Sequence, residues 1–472
     1  MLSLAELRDR EFARLTAQGH AYLDYTGSAL YGASQIRAHH ALLAEGLFGN
    51  PHSDSQPSRR STEVLDSARR RVLQFLDADP LTYDVLFTAN TTAAIKLVAE
   101  SYPFAPGSAL VLSTDNHNSV NGMREYARRA GARVRLLPLD EELRLAGTAG
   151  CADWPSLLQG SRQSAGSLSR SLPGDPQSIL IEEGGGLLAF PAQSNFSGVR
   201  HPLSLVARAQ ALGFDVLLDI AAYVPNQAFS LRQCPADFAA LSFYKLFGYP
   251  TGVGALVARR DALARLRRPW FAGGTVTYAS VAADRHRLRP EHEGFEDGTP
   301  NFLGIAALEA GFALLEEAGM ARLSAHVGRL TRRFIEQLTK LGNVRIYGPA
   351  NMVERGGAVT FNLTDGVGEV IPYAVVETAA RNAGVALRGG CFCNPGASEA
   401  AFGLDGDRLA SCLEAIDADF SVERFSACTG TPVGAVRASF GLATNEDDLR
   451  RAVEVLAELS TPLRKCGLSS RA

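Results

Sequence analysis

Lysine is nearly absent from this chain of 472 residues. Of its 47 basic residues only Lys96, Lys245, Lys340 and Lys465 are lysines, and the rest are arginines. The imbalance has the character of codon usage, but it leaves four candidates for any chemistry that needs a primary amine. Missing too is any apolar run approaching the roughly 20 residues of a membrane span. The N-terminus, MLSLAELRDREFARLTAQGH, has no apolar core flanked by basic residues. No signal peptide is therefore expected, and the cytosol is the expected compartment. Cysteine is sparse: Cys151, Cys234, Cys391, Cys393, Cys412, Cys428 and Cys466 are an odd set spread over a long chain. They do not read as a disulfide framework. Cys391 and Cys393 form a C-x-C pair with no histidine or further cysteine nearby, so no metal site is expected. A net charge of −3 and a pI near 6.3 give no global attraction to nucleic acid or to an anionic membrane.

What is present is ordinary for a globular protein. The hydrophobic fraction is 46% and the charged fraction 21%, which excludes wholesale disorder and leaves enough chain for two or three domains. Residues 84–88, 109–113, 178–182, 216–219 and 254–258 are short runs rich in Val, Leu or Ile, the pattern of strands buried on both faces. Amphipathic stretches at 92–101 and 119–131 lie between them. This alternation predicts an α/β domain on a mainly parallel sheet. Beyond about residue 303 the pattern changes to two long helices over 305–341 with a break near Gly319, a strand at 358–362 and a last helix at 447–459. The expected division is a large α/β domain over 21–303 and a smaller α+β domain made of 1–20 and 304–472. A Ser/Gly/Arg-rich stretch at 160–177 reads as an exposed insertion loop.

Six places carry residues suited to chemistry. Lys245 stands in SFYKLFG, ahead of a Gly-rich turn. Burial there would favour the neutral amine that a Schiff-base lysine needs, although an aliphatic stem with its head in water also accounts for it. Asp219 ends an apolar run, where α/β sheets bind ligands; it would cap the next segment or pair with a pyridinium nitrogen. Thr91 and Thr92 follow a strand and open a helix, which makes either an anion site or a plain N-cap. His117 is a loop histidine, or a ring lying against an aromatic cofactor and shuttling protons. Cys391 and Cys393, in LRGGCFCNPG, are two inert small residues or a turned loop presenting a thiol. Arg437, in VRASFG, must find a carboxylate, whether a substrate's or an internal one.

Together and in this order, these segments resemble the class V aminotransferase group of pyridoxal-phosphate (PLP) enzymes, which have the aspartate-aminotransferase-type fold. Within it the likeness is to the N-terminal, cysteine-desulfurase-like domain of eukaryotic molybdenum cofactor sulfurases. It is carried by residues 22–27 (YLDYTG), 49–52 (GNPH), 87–98, 191–198 (PAQSNFSG), Asp219, 242–254, 295–299 (FEDGT), 391–396 and 437–441. The resemblance implies that Lys245 holds PLP, Asp219 pairs with its ring nitrogen and His117 stacks on the ring. Thr91, Thr92, Ser242 and Tyr244 would hold the phosphate, and Thr299 would reach the phosphate of the neighbouring subunit in a homodimer. Asn195 and Arg437, with Arg388 nearby, would orient the carboxylate of a sulfur amino acid, and Cys393 matches the sulfur-accepting cysteine. The expected activity is removal of sulfur from L-cysteine as a Cys393 persulfide, with release of alanine. A C–S lyase giving pyruvate and ammonia and a non-catalytic PLP-fold scaffold are the alternatives. Many cysteine desulfurases have Gln where this chain has Ala222 and His where it has Tyr244; the cofactor sulfurases share both departures. Those sulfurases continue into a domain that binds the molybdenum cofactor, whereas this sequence runs to Ala472. The acceptor of the sulfur is therefore open between a molybdenum cofactor, a carrier protein and a biosynthetic intermediate.

Overall fold

A computed structural model describes residues 2–146, 185–431 and 433–460. The run at 178–182 and the stretch at 160–177 lie outside the described residues. At the centre is a seven-stranded sheet whose order is Tyr83–Thr88, Gly254–Arg259, Phe238–Ser242, Phe214–Asp219, Gly186–Pro191, Ala109–Ser113, Arg133–Leu137. Gly254–Arg259 is antiparallel to both its neighbours, and every other pairing is parallel. Successive side chains point to opposite faces of a strand, and here both faces are covered. Leu110 and Leu112 join a core with Ile95 and Val98 of helix Thr91–Ser101, whereas Ala109 and Val111 join the core on the other side. That is why these strands are continuously apolar rather than alternating.

A second sheet, antiparallel, has the order Val344–Tyr347, Ala358–Leu363, Ala435–Ser439, Arg388–Gly390. Helix Met320–Leu341 turns Leu323, Val327, Leu330, Phe334 and Leu338 inward, a helical repeat of apolar positions. Phe334 meets Phe361 and Phe440 edge-on. The N-terminal helix Leu4–Ala17 starts at a capping box formed by Ser3 and Glu6. It reaches the last helix through Arg8 and Asp448, 2.5 Å apart and both buried.

Several local expectations are revised. The central strand Gly186–Pro191 is not among the apolar runs named from the sequence. The helix expected at 119–131 is two short helices, Asn118–Asn121 and Met123–Arg129, meeting at Gly122. The break at Gly319 is present, at φ 73°. Cys412 and Cys428 form a disulfide joining helices Gly406–Ile416 and Val422–Thr429, so the reading without disulfides is corrected. No helix among the described residues is long and apolar enough to cross a membrane.

Candidate active site

Parallel strands bring their C-terminal ends to one edge of the sheet, and the pairing register shows which residues meet there. Asp219 stands opposite Pro191 on one side and Ala240 on the other. Ser242 stands opposite Gly254, and so does Thr88. The loops leaving this edge surround a cavity of about 140 Å³ lined by Asn90, Thr91, Thr92, His117, Ser119, Gln193, Asn195, Asp219, Ala222, Ser242, Tyr244 and Lys245, among others.

One end of the cavity is built of hydroxyls at a helix start. The cap of helix Thr91–Ser101 is Asn90, whose side chain accepts from the Ala93 N–H. Capping thus falls to Asn90 and leaves both threonine hydroxyls for other partners. Thr91 Oγ1 lies 2.6 Å from Ser242 Oγ, which also accepts from the Thr91 N–H, and Thr92 Oγ1 lies 2.7 Å from Ser119 Oγ. Four hydroxyls at the positive end of a helix form a site for a phosphate-like anion.

Lys245 rides on the single turn Phe243–Phe247, which directly follows the strand ending at Ser242. Its amine is enclosed and held below the ordinary lysine range. Burial is the main cause and Arg437 adds to it, against the opposing pull of Asp219, Cys393 and Asp24. His117 caps helix Asn118–Asn121, and its Nδ1 accepts from the Ser119 N–H at 3.1 Å. Burial, then the charge of Lys245, push the ring below the usual histidine value, and Asp219 opposes them. The neutral imidazole is therefore favoured, with its hydrogen on Nε2. Asp219 Oδ1 accepts from the Ala221 N–H at 2.9 Å in a turn rather than capping a helix. Burial also raises Tyr244.

Two arginines of the second sheet share a carboxylate that the sequence reading left without a role. Asp24 Oδ1 lies 3.0 Å from Arg437 Nη2, and its Oδ2 lies 2.8 Å from Arg388 Nη2. Gly27 permits this clasp, because a β-carbon there would sit 2.6 Å from Asp24 Oδ2 and 2.7 Å from Arg388 Nη2. Buried Arg437 also donates to the Asn195 carbonyl at 2.7 Å, yet its Nε–H has no partner. One buried donor of the guanidinium is thus unsatisfied, and Arg437 stands outside the cavity lining.

The cysteines separate clearly. Cys391 is half-buried, accepts from Ser398 Oγ, and burial raises its thiol. Cys393 is exposed, and its carbonyl accepts from the Asn118 N–H at 2.7 Å, one residue from His117. Thr299 lies apart from this cavity, exposed, in a second cavity with Phe87, Lys96 and Asn301. Among the described residues one cluster has metal-ligand geometry, Asp84, Glu291 and His292. Arg260 already sits 2.7 Å from Glu291 and 3.6 Å from Asp84. Of the residues the sequence reading missed, Asn90, Ser119 and Gln193 line the cavity; each adjoins or lies close to a residue already singled out, and that proximity was the available signal.

The family model described as aminotransferase class-V matches residues 21–152 and 173–452. The chain is 36% identical to a molybdenum cofactor sulfurase of Arabidopsis thaliana over 98% of its own length and 59% of that protein. It is 34% identical to one of Oryza sativa subsp. japonica, over 96% and 57%. The chain thus spans less than two thirds of these curated relatives. Its fold matches the apo cysteine desulfurase of Thermococcus onnurineus NA1 with a TM-score of 0.76, covering 97% of this chain and 98% of that one at 23% identity. The cofactor of such a site is pyridoxal 5′-phosphate. The residues present fit it: hydroxyls at a helix start for the phosphate, a strand-end carboxylate for the ring nitrogen, and an enclosed amine between them.

Proposed function

Because the chain belongs to the aminotransferase class-V family, we propose that it is a PLP-dependent cysteine desulfurase-like enzyme that takes sulfur from L-cysteine, or a related sulfur amino acid, onto Cys393 and releases alanine. The observation that carries this reading is the placement of an exposed Cys393 beside the His117 loop, while Cys391 is tucked away. When bound, the cofactor supplies an electron sink for negative charge at the substrate Cα. Thr91, Thr92, Ser119 and Ser242 would hold its phosphate, Asp219 would pair with its ring nitrogen and His117 would stack on its ring. Arg437, with Arg388 nearby, orients the substrate carboxylate. Lys245, whose burial eases the loss of its proton, takes the Cα proton and returns it within the site.

The Cys393 thiolate then attacks the substrate sulfur. The new S–S bond forms as the Cβ–S bond breaks, and Cβ regains a proton. L-Cysteine and the Cys393 thiol give alanine and a Cys393 persulfide, with no outside oxidant. The persulfide sulfur passes to an acceptor, and the relatives' name points to a molybdenum cofactor. The assembly is a homodimer in which Thr299 serves the partner's phosphate end. Product analysis of the holoenzyme with L-cysteine tests the reading. Alanine and a Cys393 persulfide, both lost in Cys393→Ala, support it. Pyruvate and ammonia that persist in Cys393→Ala would replace it with a C–S lyase.

A further inference from the structure

We infer that Asn195 is a positioning residue for Cys393: its side-chain amide clamps the thiol loop on both sides of the cysteine. The inference rests on the desulfurase reading for its consequence, but the clamp itself is a matter of hydrogen bonds. Asn195 Nδ2 donates to the Phe392 carbonyl at 2.7 Å, and Asn195 Oδ1 accepts from Asn394 Nδ2 at 2.9 Å. The amide therefore reaches the residue before Cys393 and the residue after it. Asn394, fully buried, also donates to Asp115 Oδ1 at 2.6 Å. Asp115 in turn is held by Ser194 Oγ and His201 Nε2, each at 2.8 Å. The Arg437 guanidinium lies 4.6 Å from the centre of the Phe392 ring.

The loop needs such a clamp. Phe392 and Cys393 have φ of 56° and 55°, a left-handed conformation that side chains bearing a β-carbon disfavour. Two in succession persist only where the surroundings over-determine them. The reward is placement of the thiol, because attack on a substrate sulfur requires the two sulfurs to approach closely and in line. Asn195 has one N–H left beyond the clamp, so the role the resemblance gives it, orienting a carboxylate, is secondary to holding the nucleophile.

The test compares wild type, Asn195→Ala, and Asn195→Asp, which keeps the acceptor towards Asn394 and loses the donor to Phe392. Hydrogen exchange of the peptide covering residues 391–394 is followed in the holoenzyme, beside steady-state formation of alanine from L-cysteine. Exchange quickened at least about tenfold, with kcat down about 100-fold and KM for L-cysteine within about twofold, is the expected result. Unchanged exchange in both variants overturns the clamp. Quickened exchange with kcat retained overturns the positioning role. A KM raised about tenfold at unchanged kcat returns Asn195 to carboxylate binding alone. If the wild type makes pyruvate and Cys393→Ala stays active, the desulfurase reading fails and Asn195 positions no nucleophile, while the exchange result still reports on the clamp.

Discussion

At the scale of single residues, burial in the site makes it easier for two bases to lose their protons. Lys245 and His117 each lie below their usual values because burial and neighbouring positive charge outweigh Asp219. For His117 the sign follows from linkage. The unfolded chain takes up the ring proton around pH 6.5, and the folded chain only at lower pH. Stability contributed by the neutral ring is therefore complete above that value and declines as pH falls towards the folded one. His117→Gln cannot titrate, so its melting temperature without cofactor should fall less than the wild type's between about pH 7 and about pH 5.5. Parallel melting curves would contradict this. The lysine scarcity gives a second prediction. Lys96 is exposed and paired with Glu100 at 3.0 Å, and Lys340 lies in the last turn of helix Met320–Leu341. Borohydride reduction of the holoprotein followed by peptide mapping should label Lys245, and a label on another lysine would refute its role. These residues were legible because each stands at a strand end or a helix start, positions that local pattern marks. Asp24 was not, because its partner Arg437 is far along the chain and nothing in either neighbourhood announces the pair.

At the scale of elements, Lys245 depends on one helical turn between a buried strand and Gly248. Gly248 sits at φ 81°, and a β-carbon there would lie 2.3 Å from Tyr31 N and 2.4 Å from the carbonyl carbon of Leu30. Gly252 also has a positive φ, 71°, but nothing lies within 4 Å of its β position. Gly248→Ala combines conformational strain with a clash against backbone and should destabilise by about 2–4 kcal/mol, whereas Gly252→Ala should cost about 1 kcal/mol. Urea unfolding of the two variants measures the difference, and equal losses would show that the close approach to residues 30 and 31 carries no weight. Gly248→Ala should also slow uptake of pyridoxal 5′-phosphate, followed by the absorbance of the bound cofactor, since the glycine ends the lysine's own turn. Most of the sheet could be read from apolar runs, and the alternation of strand and helix implied that it was mainly parallel. Phe238–Ser242 was harder to see because it is built from alanines of low strand propensity and owes its conformation to burial between two neighbours.

At the scale of the whole molecule, the proposed dimer requires that a second chain complete the Lys245 cavity. Thr299 is exposed and lies with Thr88 and Ala93 in a cavity that does not include Lys245. The exposed apolar side chains Ile36, Leu47, Trp270, Phe271 and Leu303 give the surface an apolar character that a second copy could cover. If Thr299 completes the partner's phosphate site, two defective chains can repair each other. Lys245→Ala removes the amine, and Thr299→Asp sets a carboxylate against a phosphate, a like-charge contact that should abolish cofactor retention. In a mixed dimer, the chain that keeps Lys245 receives its Thr299 from the other subunit, so one of the two sites is intact. Unfolding and refolding the variants together at equal concentration should restore about a quarter of wild-type activity, the share set by random pairing in a two-fold dimer. Were Thr299 to serve its own chain, every site in every pairing would carry a defect and no activity would return. Recovery on mixing would therefore show at once that the protein is a dimer and that its phosphate site crosses the interface.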